Sequence, residues 1–247
     1  QKKAQDSFIY TYVDSANNLW IGKPTNSIEL NTSLLDELPW KLTLDFEFME
    51  ILKKIEPFSA PLPQVANIFN GIQTSAERPQ PIYWFADEEI ISEEDDTITV
   101  KKDGKVYSIE KKILKPYFKP TKKAEKGLTT YNSLSTDKKI IFPYDSEGHL
   151  IPIETMKVDY PGTYAYLLDY YDRLVPKCVS KEGIRDVPNA TADTWYQYGR
   201  TQALTAFIDT PKLIVKVMAK DNPMYAMDKA DMLIASGGTA GYCTVAK

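Results

Sequence analysis

Histidine and cysteine are scarce in this sequence, and their scarcity excludes most of the chemistry that imidazoles and thiols support. The 247 residues include one histidine, His149, and two cysteines, Cys178 and Cys243, which lie far apart in the chain. A zinc site, a Ser-His-Asp triad or a Cys-His pair would each depend on that one imidazole. We therefore expect a loop histidine and two reduced thiols rather than a metal or nucleophile site.

Long hydrophobic runs are missing as well. No window holds the roughly 18 consecutive apolar residues of a membrane span, and the opening residues QKKAQDSFIYTYVD lack the apolar core of a signal peptide. We therefore expect a cytoplasmic protein with no membrane partner. With 43% hydrophobic and 26% charged residues, the composition is typical of a globular protein with one large domain or two smaller ones.

Catalytic signatures are absent too, because the sequence contains no GxSxG elbow, no GxxxxGK[ST] loop, no HExxH and no CxxC. Residues 222–225 read NPMY and depart from the NPPY motif of adenine methyltransferases at the second proline. No glycine-rich strand-to-helix turn for S-adenosylmethionine precedes them, so we interpret them as a turn. The segment Ser236–Gly241 is rich in glycine and either cradles a phosphate through its backbone amides or is a plain loop.

Charge is unevenly distributed along the chain. The net charge is −4, which alone argues against a nucleic-acid partner. However, Phe85–Val100 contains seven acids and no base, whereas Lys101–Lys139 contains twelve lysines and four acids, a net charge of +8. Such a basic segment is the electrostatic footprint expected of a DNA-facing edge, although a solvated lysine-rich face would look the same.

Hydrophobic periodicity predicts an α+β fold with a helical lead-in, a mostly antiparallel β-sheet and packed helices. Alternating aromatics predict a strand at Phe8–Tyr12, and a capping pattern predicts a helix start at Asn31–Ser33. The predicted helices cover Phe46–Glu56 and Gly162–Val175. Further strands are predicted between Val65 and Tyr117, including a hairpin around Asp103-Gly104, and at Lys138–Tyr144 and Pro211–Ala219.

One catalytic pattern is present in weak form. Asp96, Glu110 and Lys112 have the residue types of metal-dependent nucleases, in which two carboxylates hold a divalent ion that activates water. The alternative is a charged hairpin edge. A further alternative, a carbohydrate- or protein-binding module, is left open by the 12% aromatic content.

Several segments, taken in order, form a recognisable series: Gly71–Phe85, Ile113–Lys119, Lys139–Asp145, Tyr164–Leu174, Trp195–Leu204, Pro211–Ala219 and Ala235–Cys243. This series resembles the TaqI-like C-terminal specificity domain of type II and bifunctional restriction-methylation enzymes. The resemblance covers 63–247, while 1–62, including Leu38–Leu42, is similar to the helical connector that follows the methyltransferase domain in such enzymes.

The resemblance implies sequence-specific binding to double-stranded DNA. It also implies an N-terminal methyltransferase domain that moves a methyl group from S-adenosylmethionine to a flipped-out adenine. The sequence begins without methionine and has no cofactor motif, so we expect a segment of a longer chain that holds no cofactor itself.

The loop GIQTSAER is the first candidate for base contact, since glutamine pairs with adenine and arginine with guanine in the major groove. The alternative is that it merely caps a strand. We expect nearby lysines to hold the phosphate backbone. Predicted contacts in the loop are Gln73, Thr74, Ser75 and Arg78, and the predicted phosphate contacts are Lys115, Lys119, Lys122 and Lys123.

The segment WYQYGRTQ mixes aromatic surfaces with hydrogen-bonding groups and is the second candidate. Here we expect DNA contacts from Tyr198, Arg200 and Gln202, and core positions for Trp195 and Tyr196. In the glycine-rich segment the candidates are Ser236 and Thr239. Three other tyrosines are expected only to pack: Tyr117, Tyr144 and Tyr164.

Overall fold

The computed structural model describes residues 6–35, 45–119, 136–201, 204–205, 208, 211–216, 225–229, 232–236 and 242–246. The chain divides into two compact units, Gln1–Pro61 and Leu62–Lys247. The roles predicted for the two parts of the chain, a connector and a DNA-recognition domain, stay predictions. None of the described helices is long and apolar enough to cross a membrane.

The first unit begins with an antiparallel pair of strands, β1 (Ser7–Tyr12) and β2 (Asn26–Asn31), joined through the short helix α1 (Ala16–Trp20). The strand predicted from alternating aromatics is therefore confirmed. A 3-10 turn, Thr32–Leu34, follows β2 and is capped by the Asn31 side chain. The remainder of the helix predicted to start here falls on residues from 36 onward, and 36–44 lie outside the described residues.

Helix α2 (Phe46–Ile55) confirms the second helix predicted in the lead-in. The Asp45 carboxylate accepts a hydrogen bond of 2.9 Å from the Phe48 amide and so satisfies one of the unpaired donors at the helix start. Lys53 and Lys54 lie in the last turn, where positive charge complements the helix dipole. A 3-10 turn that contains Pro57 ends this segment.

The second unit combines short helices with many strands. Its strands are β3 (Asn67–Asn70), β4 (Trp84–Ala86), β5 (Ile90–Glu93), β6 (Thr97–Lys102), β7 (Lys105–Glu110), β8 (Leu114–Phe118), β9 (Lys138–Ile141), β10 (Lys212–Lys216), β11 (Tyr225–Asp228), β12 (Leu233–Ile234) and β13 (Tyr242–Ala246). Its helices are α3 (Leu62–Val65), α4 (Ile153–Asp159), α5 (Pro161–Asp169) and α6 (Tyr171–Leu174). Two 3-10 turns, Asp87–Glu89 and Lys111–Ile113, precede β5 and β8.

The strands form three sheets with the orders β5-β6-β7, β12-β8-β9-β4 and β11-β10-β13-β3. Neighbouring strands are antiparallel except β12 and β8, which are parallel. The predicted α+β class with mostly antiparallel pairing is therefore confirmed. The predicted hairpin is β6-β7, and it turns at Asp103 and Gly104, both of which have positive φ angles of 49° and 81°.

The helix predicted over Gly162–Val175 is present in two pieces, α5 and α6. Tyr170 separates them because its backbone leaves the helical region at φ −105° and ψ 15°. Its hydroxyl donates a 2.8 Å hydrogen bond to the Asp103 carboxylate at the tip of the β6-β7 hairpin. The break therefore lies where the helix is tied to the hairpin.

Buried tyrosines dominate the main core. The Tyr83 hydroxyl donates to the backbone oxygen of Tyr196 at 2.7 Å, and the Tyr166 hydroxyl donates to that of Ile82 at 2.6 Å. Burial raises the pKa of both phenols above its ordinary value. The hydroxyls therefore remain donors, and each ring fills apolar volume while its oxygen cross-links two backbone segments.

A buried arginine connects three segments around this core. Arg185 is only 3% exposed, and one terminal nitrogen donates to the backbone oxygens of Leu174 at 2.7 Å and Trp195 at 3.3 Å. The other donates to those of Thr74 at 2.8 Å and Gln197 at 2.6 Å. A single guanidinium therefore donates charge-assisted hydrogen bonds to four backbone carbonyls, of which that of Thr74 also accepts from the Gly199 amide at 3.2 Å.

We predict that Arg185→Ala lowers the free energy of unfolding by about 3 kcal/mol or more, because buried carbonyls lose charge-assisted hydrogen bonds. Lys181 lies four positions earlier on the exposed surface and provides the control, with an expected effect of Lys181→Ala within about 0.5 kcal/mol. Urea denaturation measures both values. Equal stabilities for the two variants would contradict this role of Arg185.

Candidate nucleic-acid interface

The Gly71–Arg78 loop is fixed on both sides by other parts of the second unit. On one side the Ile72 amide donates to the Ile234 oxygen at 2.8 Å, and Ile72 bridges Ala235 in parallel. On the other side the Arg200 amide donates to the Gln73 oxygen at 3.1 Å. The loop backbone is therefore held in place like a short central strand.

Two glycines allow these close approaches. A Cβ atom on Gly71 would overlap the backbone of Ile234–Ser236, and one on Gly199 would overlap the side chain of Ser75. Ser75 itself has a positive φ of 56°, which turns the loop sharply. The sequence positions these small residues where the loop crosses its neighbours.

The crossing brings together side chains from three distant segments. The Gln73 amide donates to the Ser236 hydroxyl at 3.2 Å, and Gln73 pairs through its backbone with Arg200. Gln73 and Ser75 are exposed. These groups border a cavity of about 200 Å³ lined by Ile72, Gln73, Thr74, Ser75, Glu77, Tyr117 and Ser236. We call it the loop cavity.

The two arginines predicted to bind DNA differ in their surroundings. Arg78 is exposed at the end of the loop. The Arg200 guanidinium donates to the backbone oxygen of Asp186 at 3.0 Å and to its carboxylate at 3.1 Å. Its side chain is still 39% exposed, so it is oriented by Asp186 and accessible from outside.

Two predicted DNA contacts are wrong, because their side chains are buried. Thr74 is 2% exposed, and its hydroxyl donates to the Glu77 carboxylate at 2.9 Å. Tyr198 is 0% exposed, and its hydroxyl donates to the Ile141 backbone oxygen. Neither group can contact DNA in this packing; both support the loop from within.

The aromatic residues that were expected only to pack do so. Trp195 and Tyr196 are buried in the main core, as are Tyr117 and Tyr144. Tyr164 is partly buried against the same core. These interpretations are confirmed.

Glu77 is a functional candidate that sequence reasoning missed. Its carboxylate accepts hydrogen bonds from Thr74, from the Trp84 indole at 3.2 Å and from Lys119, with which it forms an ion pair. The Lys119 ammonium also lies 5.4 Å from the Trp84 ring centre. The only signal in the sequence was that GIQTSAER contains one acid.

Of the other predicted contacts, Lys115 is half-buried, and no carboxylate of the described residues lies within ion-pair distance of it. Several predicted contacts lie outside the described residues: Lys122, Lys123, Gln202 and Thr239. The NPMY segment, apart from Tyr225 in β11, also lies outside them.

The acidic and basic runs of the sequence fold against each other. Of the nine lysines that the structure describes between Lys101 and Lys139, six pair with a carboxylate. The pairs are Lys102–Glu89, Lys105–Asp169, Lys111–Glu93, Lys119–Glu77, Lys138–Asp137 and Lys139–Glu93. The described part of this segment therefore carries less unpaired positive charge than its composition indicates.

The geometry of Glu110 does not favour the nuclease role, which stays a prediction. Both oxygens of its carboxylate are used at the start of α5, where they accept hydrogen bonds from the Gly162 amide at 2.8 Å and from the Thr163 amide and hydroxyl at 2.8 and 2.6 Å. Asp96 and Lys112 are exposed. Glu110 is a helix cap supplied by a neighbouring strand.

Metal-ligating side chains are dispersed over the described part of the chain. Within it, no group of three or more histidine, cysteine, aspartate or glutamate side chains could hold a metal ion. His149 is exposed in the turn after Tyr144 and near the Asp145 carboxylate, as expected of a loop histidine.

Comparison with known proteins gives one informative relative. No protein-family model matches the chain. The chain is 31% identical over 220 residues to the type II restriction enzyme and methyltransferase RM.Eco57I of Escherichia coli. The match covers 87% of this chain and 21% of the relative, so the chain spans about a fifth of that protein's length. The relative supports the restriction-modification part of the predicted resemblance, and the TaqI-like specificity domain stays a prediction.

We predict that Gly199→Ala displaces the Gly71–Arg78 loop and destabilises the protein, because the new methyl group overlaps Ser75. Adding Ser75→Gly removes the overlap and also suits the positive φ at that position, so the double variant should regain most of the lost stability. Thermal denaturation of the four proteins measures the coupling. Simple additivity of the two changes would contradict the crossing.

We predict that Glu110→Ala lowers the free energy of unfolding by about 1–2 kcal/mol, because α5 loses its cap. Asp96→Ala is the control, since the Asp96 side chain is exposed and its loss should cost less than about 0.5 kcal/mol. A magnesium-dependent cleavage assay runs in parallel. Cleavage that disappears in both variants while both remain stable would restore the nuclease hypothesis.

Proposed function

We propose that 62–247 recognises a specific site in double-stranded DNA as part of an adenine-specific restriction-modification enzyme. One observation carries the proposal. The Gly71–Arg78 loop has a backbone fixed from both sides, and it presents Gln73, Ser75 and Arg78 to the outside. The similarity to a segment of a restriction enzyme and methyltransferase supports the same reading.

The side chains at the crossing have the chemistry of base readout. An amide such as that of Gln73 both donates and accepts, as the major-groove edge of adenine requires, and an arginine matches the two acceptors of guanine. Ser236 already accepts a hydrogen bond from Gln73 and so orients its amide. The two exposed arginines, Arg78 and Arg200, are the candidates for guanine.

Rigidity of the loop favours this function. A loop that is ordered before binding does not lose backbone freedom when it meets DNA, so more of the contact energy remains for discrimination between sequences. Arg185 and Thr74 contribute to this order from the buried side of the loop, through the hydrogen bond between the guanidinium and the Thr74 carbonyl. The buried residues therefore support specificity without touching DNA.

The chemical step belongs to another part of such an enzyme. A methyltransferase domain there would bind S-adenosylmethionine and modify the amine of a flipped-out adenine. The first unit is proposed to contact that domain. Helix α2 exposes Phe48, Ile51 and Ile55 at helical spacing, and this apolar stripe is suited to a protein surface.

We predict that the chain selects duplexes of one consensus from a random pool and that its affinity falls steeply between low and physiological salt, because phosphate contacts release counterions. Gln73→Ala should lose about 1–3 kcal/mol of discrimination at one base pair and keep its affinity for unrelated duplexes. Fluorescence anisotropy with the consensus and single-substitution duplexes measures both properties.

The matched control is Gln64→Ala, which removes an exposed glutamine of α3 outside the loop. It should leave discrimination unchanged. Absence of salt-sensitive duplex binding would overturn the proposed function and favour a protein- or carbohydrate-binding module. Unchanged discrimination in Gln73→Ala would remove the loop from base readout.

A further inference from the structure

A second and larger cavity lies between the β5-β6-β7 sheet and the sheet that contains β8 and β9. Its volume is about 370 Å³, within the range of about 300–1,000 Å³ typical of ligand sites. It is lined by Asp87, Glu93, Lys111, Leu114, Lys115, Pro116, Thr136, Lys138 and Lys139. Four lysines and two acids give this lining a positive charge. We call it the lysine cavity.

An oxyanion already occupies part of the lysine cavity. The Glu93 carboxylate lies 3.5 Å from the Lys111 ammonium and also forms an ion pair with Lys139. The hydrogen bond from Lys139 is the main reason that the pKa of Glu93 is lowered, so the carboxylate is charged at neutral pH. Two ammonium groups are thus arranged around a single anion supplied by the protein.

One ammonium of the lining has no carboxylate partner in the part of the chain that the structure describes. Lys138 is paired with Asp137, whereas Lys115 in β8 has no carboxylate within ion-pair distance among the residues that the structure describes. Lys115 lies on the same strand as Leu114 and Pro116, which form the apolar wall of the cavity. The lysine cavity can therefore accept one more negative group.

Strand β8 contributes a residue to the lining of both the lysine cavity and the loop cavity. Lys115 lines the first and Tyr117 lines the second. Two residues of a strand span roughly 7 Å, which corresponds to about two steps of 3.4 Å along a DNA strand. A backbone phosphate at Lys115 would thus lie within reach of a base at the Gly71–Arg78 loop.

We propose that the lysine cavity is a phosphate-binding site in which Lys111, Lys115 and Lys139 donate to the phosphate oxygens and Glu93 is the internal anion that the phosphate displaces. The inference rests on the proposed function in taking a phosphodiester of duplex DNA as the source of that phosphate. The contact reads no sequence; it fixes the position of the backbone while the loop reads the bases.

The first test compares two lysine variants. Lys115→Gln should weaken binding to a mixed-sequence 20-bp duplex by about threefold to tenfold and reduce the slope of log K against log salt by about 1. Lys112→Gln is the matched control, because Lys112 is exposed, has the same charge and lies outside the cavity. It should change affinity by less than about twofold.

The second test concerns Glu93. Glu93→Gln removes the competing anion, so duplex binding should strengthen by about threefold or more. Glu94→Gln removes the same charge from the next position, which is exposed and outside the cavity, and should have a smaller effect. Equal gains in both variants would mean that only net charge matters and would overturn the role of Glu93.

Titration with inorganic phosphate distinguishes the two possible sources of the bound phosphate group, which are a phosphodiester of duplex DNA and free phosphate. If only Lys115→Gln weakens duplex binding, the site takes a DNA phosphodiester. If the chain binds inorganic phosphate in a Lys115-dependent way but no duplex, the phosphate site stands and the proposed DNA function fails. If duplex binds and both lysine variants behave alike, the inference fails while the function stands. Binding of neither probe overturns both.

Discussion

The buried Arg185 guanidinium is the interaction on which the second unit depends. It brings the end of α6, the Trp195–Gln197 segment and the Gly71–Arg78 loop to one point, through backbone oxygens rather than side chains. An arginine without a carboxylate is costly to bury, and here the two terminal nitrogens of the guanidinium offset that cost by donating to four backbone oxygens. The loop that faces outward is therefore positioned by the same contacts that close the core.

Charged side chains from distant segments also position one another. Glu89, Glu93 and Glu77 come from acidic or loop segments, and each meets a lysine from the basic run. These pairs orient ammonium groups and neutralise their charge locally. Within the described ranges, the positive potential is thus concentrated at the few lysines without such a partner, Lys115 among them, instead of being spread over a basic face.

Local patterns in the sequence predicted the local parts of the fold. Asp103-Gly104 between alternating runs indicates its own hairpin, and Phe46–Ile55 carries its own cap and periodicity. The sequence could also indicate, with the resemblance, that the segments of Gln73 and Arg200 are candidates for DNA contact. It could not indicate that Glu110 caps a helix that starts 51 residues later. The sequence around a carboxylate in a charged hairpin does not show which distant amide that carboxylate will accept a hydrogen bond from.

The same reasoning explains the errors at Thr74 and Tyr198. Thr74 lies between two exposed residues and Tyr198 between two that are partly or fully buried, and only long-range packing decides which polar side chains of such segments turn inward. Exposed and buried side chains alternate along the loop: Gln73 and Ser75 are exposed, whereas Thr74 and Ala76 are buried.

That alternation has a consequence for how such a protein diversifies. The inward residues and the glycines at the crossings hold the backbone, whereas Gln73, Ser75 and Arg78 contribute little to the packed interior. Selection can therefore exchange the outward side chains one at a time without unfolding the domain. With the proposed function, a preference for one DNA sequence can drift to another while the architecture that presents it is inherited intact.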